Sequence, residues 1–141
     1  GQSFGGLSAL YAGLNWPTRF GCVLSQSGSF WWPHRITPPE GEVITRLKTG
    51  ALCARGLREC PICFSKKCNG ALCARGLRIV LEAGVREPIV FQANQALYAQ
   101  LNTSQQSIFW RQVDGGHDAL CWRGGLTQGL MLLWQPLIDT L

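Results

Sequence analysis

The sequence predicts an α/β fold in which three parallel strands alternate with covering helices. Apolar residues recur at helical spacing in three segments. Short, wholly apolar runs lie between those segments, as in strands buried on both faces. The two kinds of element alternate along the chain, so consecutive strands are joined by helical crossovers and pair in parallel. The 141 residues are the size of one domain, and 46% hydrophobic against 15% charged residues marks a folded, globular chain.

In chain order, Leu7, Leu10, Tyr11 and Leu14 form the stripe of a first helix, which Asn15 and Pro17 stop. Cys22-Val23-Leu24, between glycine-containing turns, reads as a buried strand. Gln26 to Arg35 reads as a loop rich in Ser, Gly and Trp, extended by Pro38, Pro39 and Gly41. Ile79-Val80-Leu81 before Ala83-Gly84 is the second strand. Pro88 fits the first turn of the next helix, whose apolar face is Ala93, Ala96, Leu97 and Leu101. Ile108-Phe109-Trp110, running to Val113, is the third strand. Leu126, Leu130, Leu133, Trp134 and Leu137 share one face of a last helix.

No apolar run approaches the roughly 18 to 20 residues that span a bilayer. The first residues lack the charged and apolar regions of a signal peptide, and without an initiator Met the natural start is expected to lie upstream. A net charge of +5 suits an anionic substrate. The basic residues form no dense stripe interleaved with aromatics, so neither nucleic acid nor membrane is an expected partner.

Gly50 through Arg58 recurs as Gly70 through Arg78, flanking Cys60, Cys63 and Cys68. Two copies are too few for a solenoid. A repeat-flanked, Cys-rich loop insertion at about residues 50–78 of a single domain, 1–141, is expected, because added loop length costs little. Cys60-Pro61-Ile62-Cys63 has half the spacing of a zinc knuckle, and Cys68 and Cys73 are candidates to complete it. The second pair is not CxxC, and duplication alone accounts for Cys53 and Cys73, so no metal is assigned. Most of the seven thiols are expected to be reduced, which indicates the cytoplasm.

Gly1-x-Ser3-x-Gly5 matches a nucleophile elbow, the sharp strand-to-helix turn that exposes a serine hydroxyl. The plain alternative is a glycine-rich helix start with Ser3 as N-cap. His117, in Asp114-Gly115-Gly116-His117-Asp118, follows the third strand, where the base of an α/β-hydrolase arrives late in chain order. Such an imidazole takes and returns the serine proton near neutral pH. The acid belongs in the loop after the second strand: Glu87 suits it, Glu82 is the second choice, and Asp114 departs from the usual order. The backbone N–H of Phe4 is the expected oxyanion donor. The feeding strand and a second donor are expected upstream of Gly1, which leaves a strand edge open and the isolated chain impaired. This chemistry calls for no cofactor.

Gly1-Gln2-Ser3-Phe4-Gly5-Gly6-Leu7-Ser8-Ala9-Leu10 and Ser25-Gln26-Ser27-Gly28-Ser29-Phe30-Trp31-Trp32 resemble the enterochelin (enterobactin) esterases. Leu81 to Pro88 and Asp114 to Gly125 extend the resemblance, which covers nearly everything except about residues 50–77. It implies the C-terminal part of an α/β-hydrolase fold, with Ser3 as nucleophile, His117 as base and Glu87 as acid. It also implies hydrolysis of the serine esters of ferric enterobactin in the cytoplasm, for iron release. Trp31, Trp32, His34 and Arg35 suit an anionic, aromatic catecholate complex by stacking and charge, with Trp122 and Arg123 as further candidates. Two other readings stay open: a related esterase with another acyl ester, and a catalytically silent remnant that binds metal through its cysteines. Oligomeric state is not legible.

Overall fold

The structure, a computed structural model, describes residues 1–17, 19–33, 40–49, 77–102 and 107–135. Its elements are α1 (Phe4–Asn15), β1 (Cys22–Gln26), α2 (Glu42–Lys48), β2 (Arg78–Gly84), α3 (Pro88–Leu101), β3 (Ser107–Val113) and α4 (Ala119–Trp134). The three strands form one parallel sheet in the order β1-β2-β3. The α/β class and the three parallel strands follow the sequence expectation. The cysteine-rich stretch, including Cys60, Cys63, Cys68 and Cys73, lies outside the described residues.

Alternation along the strands divides the side chains between two layers. Val23, Ile79 and Leu81 point into the main core, which they share with Leu10 and Leu14 of α1, Ile44 and Leu47 of α2, and Ala93, Leu97 and Leu101 of α3. The opposite face meets α4. Register places Gln26, Glu82 and Arg111 side by side at the carboxyl ends of the three strands. There they form a polar cluster: Gln26 Nε2 donates to Glu82 Oε1 at 3.0 Å and to the Trp122 carbonyl at 2.7 Å, and Arg111 pairs with Glu82. Glu82 is 1% exposed, and these partners offset the cost of burying its polar atoms.

Two elements differ from expectation. The short helix α2, seven residues long and following a proline-rich segment, has no counterpart in the sequence expectation, whose loop ends at Gly41. Val43, Ile44 and Leu47 bury its inner side, and an Arg46–Glu42 pair at 2.7 Å braces the outer one. In α4 the expected apolar stripe is turned outward: Leu126 and Leu130 are exposed, Trp134 is 79% exposed, and only Leu133 of the described stripe is buried. Leu137 lies outside the described residues. The helix instead approaches the sheet along Gly125, Gly129 and Leu133. A Cβ at position 125 would run into the Glu82 carboxylate, and one at 129 would lie 2.7 Å from Leu24 Cδ1. Close approach over a buried polar cluster, rather than apolar burial, thus sets the rotation of α4.

Gly125→Ala tests this packing. Alanine gains about 1 kcal/mol of helix propensity over glycine. Overpacking against a pinned carboxylate costs about 1–3 kcal/mol. Net destabilisation is therefore expected, read as a lower urea midpoint. An unchanged or higher midpoint would mean that Glu82 moves freely.

Among the described residues, no helix is long and apolar enough to cross a membrane.

Candidate active site

The loops leaving β1, β2 and β3 all start at the carboxyl edge of the sheet, where ligands bind in open parallel sheets. Gly1 to Ser3 reach the same edge by pairing with β1. Gln26 N donates to the Gly1 carbonyl, and Ser3 N to the Gln26 carbonyl, each at 3.0 Å. The chain then reverses into α1 at Ser3, whose φ of 52° and ψ of −123° are unusual for a side-chain-bearing residue. Such a conformation costs about 1–3 kcal/mol and persists only when its surroundings hold it. Here the Ser3 carbonyl accepts from Gly6 N, Leu7 N and Ser29 N at 3.0–3.1 Å. Close packing of the turn excludes larger residues: a Cβ on Gly6 would lie 2.6 Å from Ser25 Oγ. Although Ser3 occupies the N-cap position of α1, its side chain makes no capping bond. The hydroxyl is turned elsewhere.

It meets His117. His117 Nε2 is 2.9 Å from Ser3 Oγ, and His117 Nδ1 is 2.5 Å from Glu87 Oε2. An ionised carboxylate only accepts, so Nδ1 carries the proton and Nε2 presents its lone pair to the serine. The Glu87 side chain is 5% exposed. Its other oxygen, Oε1, accepts from Ser27 Oγ at 2.5 Å and from Gly84 N at 2.6 Å. The other two carboxylates considered from the sequence go elsewhere. Glu82 pairs with Arg111 beneath α4, and exposed Asp114 pairs with Arg86 at 2.8 Å.

The His117 loop is anchored by the start of α4. Asp118 Oδ1 accepts from Leu120 N at 2.9 Å and Cys121 N at 3.0 Å. The Cys121 N–H, then the Cys121 thiol on Oδ2 and the Leu120 N–H, hold the Asp118 carboxyl below its ordinary range. The same bond raises the Cys121 thiol above its own.

A cleft of about 350 Å³ opens beside Ser3, lined by Phe4, Ser29, Trp31, Ile89, Val90 and His117. Trp31 stands edge-on to Phe4, with ring centroids 5.7 Å apart. Phe4 is the first residue of α1, so its N–H has no acceptor within the helix and lies at the positive end of the helix dipole. Trp32 lines a different hollow, of about 420 Å³, with Tyr11, Trp16 and Val43. The two tryptophans are therefore split between two sites. His34 and Arg35 lie outside the described residues. Trp122 does not line the cleft. Its ring and that of His117 form a T-shaped pair with centroids 5.0 Å apart, and its Nε1 donates to Ser27 Oγ at 2.9 Å. Arg123 is exposed.

Ser27 and Ser29 are the site residues that sequence reasoning passed over. Ser29 Oγ lies 3.3 Å from Ser3 Oγ. The available signal was the serine-rich run Ser25-Gln26-Ser27-Gly28-Ser29 at the carboxyl end of β1, next to the elbow. Among the described residues, no group of three or more His, Cys, Asp or Glu is arranged to hold a metal, and Cys22 and Cys121 are free thiols.

Comparison with known proteins agrees with the fold. The chain is 65% identical over 137 residues to the iron(III) enterobactin esterase of Escherichia coli O6:H1, covering 97% of this chain and 29% of the relative. It is 34% identical to the iron(III) salmochelin esterase of the same strain, covering 94% of this chain and 29% of the relative. It superposes on the crystal structure of ferric enterobactin esterase from Salmonella typhimurium with a TM-score of 0.77 and 86% identity, over 99% of this chain and 30% of that one. The enterobactin esterase from Shigella flexneri, crystallised in the presence of enterobactin, gives 0.76 and 64%, over 98% and 30%. The chain thus spans less than a third of the length of these relatives. The family model described as "Putative esterase" matches residues 1–133, and the chain belongs to that family.

Proposed function

We propose that this chain carries the nucleophile, base and acid of a serine esterase, and that its substrate is ferric enterobactin. The observation that carries the reading is the line of hydrogen bonds from Ser3 Oγ through His117 to Glu87. His117 Nε2 takes the Ser3 proton as Oγ bonds to the ester carbon. The oxyanion formed faces the N-terminus of α1, where the Phe4 N–H stabilises it. His117, now charged and held by Glu87, returns the proton to the departing serine hydroxyl of the substrate. Water then releases the acyl group by the same steps in reverse order.

The substrate class rests on the relatives, which are named for iron(III) enterobactin and salmochelin. The aromatic wall of Phe4 and Trp31 beside Ser3 supports a substrate that carries an aromatic group such as a catecholate. The net charge of +5 favours an anionic complex. The free thiols of Cys22 and Cys121 support a cytoplasmic setting.

The test is a substrate panel. Ferric enterobactin is expected to be cleaved to dihydroxybenzoyl-serine species, resolved by chromatography, with a far higher kcat/KM than simple aryl esters. Faster turnover of the aryl esters would reject the siderophore, and turnover of neither would reject esterase activity of these 141 residues on their own.

A further inference from the structure

We propose that Ser27, oriented by Trp122, is the positioning residue that fixes Glu87 against His117. The proposal rests on the esterase reading and extends it to two residues outside the acid–base line.

The bonding admits one direction. The indole Nε1–H of Trp122 only donates, and an ionised carboxylate only accepts. Ser27 Oγ lies 2.9 Å from Trp122 Nε1 and 2.5 Å from Glu87 Oε1. The hydroxyl must therefore accept from the indole and donate to the carboxylate. With Gly84 N at 2.6 Å, Oε1 is held by two donors. That leaves Oε2 as the oxygen that faces His117 Nδ1. Trp122 also packs against the imidazole in a T-shaped pair, with an interplanar angle of 87°. One side chain thus fixes both partners of the His117–Glu87 bond.

The backbone points the same way. Ser27 has a φ of 49°, the second positive value among the described non-glycine residues after Ser3. Its N–H donates to the Glu82 carbonyl at 2.6 Å, and the residue is 2% exposed. A strained, buried serine whose hydroxyl meets a buried carboxylate is explained if the strain is what places that hydroxyl.

The experiment compares the chain with Ser27→Ala, Ser27→Gly and Trp122→Phe. One readout is the proton resonance of His117 Nδ1–H, which a short bond to a carboxylate moves far downfield. The other is the saturation kinetics of Ser3 modification by a fluorophosphonate. Ser27→Ala and Ser27→Gly are both expected to broaden or abolish the resonance. Both should also lower the maximal rate of modification by about 10- to 100-fold with the half-saturating concentration unchanged, as for a small misplacement of a catalytic group. Glycine relieves the strain at φ 49°, so equal losses assign the effect to the hydroxyl. Trp122→Phe keeps a ring against His117 and removes the indole N–H, and an intermediate loss is expected. Hydroxyl-free variants that keep the resonance, or lose rate while keeping it, overturn the proposal. A parent chain without the resonance overturns it too. A parent chain that shows the resonance but forms no Ser3 adduct contradicts the esterase reading instead, and the resonance still decides the role of Ser27.

Discussion

Ser3→Ala is expected to lower kcat for ester hydrolysis by about 10⁴- to 10⁶-fold, the range seen when the nucleophile of a serine–histidine–carboxylate set is removed. KM should change little, because the proposed role of the hydroxyl is to react with the ester carbon rather than to hold the substrate. Loss of folding does not explain such a result. Alanine tolerates the backbone at φ 52° no worse than serine does, and the bonds that hold the turn come from backbone groups. Thermal unfolding should therefore match the parent. A further change at His117 in the same chain should add little, since the two groups act as one unit.

Glu87→Gln is expected to cost about 10⁴-fold in kcat while leaving the chain nearly as stable. The reason lies in the two ends of the side chain. Oε1 receives two donors, from Ser27 and Gly84, and an amide keeps its oxygen there. Its NH₂ then faces His117 Nδ1, which must give up its proton to accept. The proton moves to Nε2, which points at Ser3 Oγ and is no longer a base. Glu87→Ala provides the contrast: it leaves two buried donors without an acceptor, so it should cost about 1–3 kcal/mol of stability as well as activity. Paired kcat and urea measurements on the two variants separate the mechanisms. Equal activity of Glu87→Gln and the parent would mean that the carboxylate does not set the tautomer.

The parts of the molecule legible in the sequence are those written in local pattern. Val23, Ile79 and Ile108 mark strands because short apolar runs between turns have few other uses. Pro88 opens α3 where its missing N–H matters least. Ser3 is marked by the Gly1-x-Ser3-x-Gly5 pattern, and His117 by its loop between the third strand and the last helix. For Glu87 the sequence left Glu82 and Asp114 open, because three carboxylates near strand ends look alike until their partners are seen. Arg111 and Arg86 take two of them, and His117 meets the third.

What escaped reading depends on residues far apart in the chain. Ser27 touches Glu87 and Trp122, 60 and 95 positions away, and no local pattern encodes that meeting. The rotation of α4 was hidden for a related reason. Its leucines dominate any hydropathy pattern, while the determining residues, Gly125 and Gly129, matter for what they lack. Trp31 and Trp32 are adjacent in sequence, yet they line separate hollows.

The central claim is that Ser3 is a nucleophile activated by His117. Its most direct test is peptide mass spectrometry after brief reaction with a fluorophosphonate, on the parent chain and on His117→Ala. A single adduct on Ser3 in the parent, formed far more slowly in the variant, is the expected result. An adduct on Ser29 instead, or one on Ser3 that forms equally fast without His117, would contradict it.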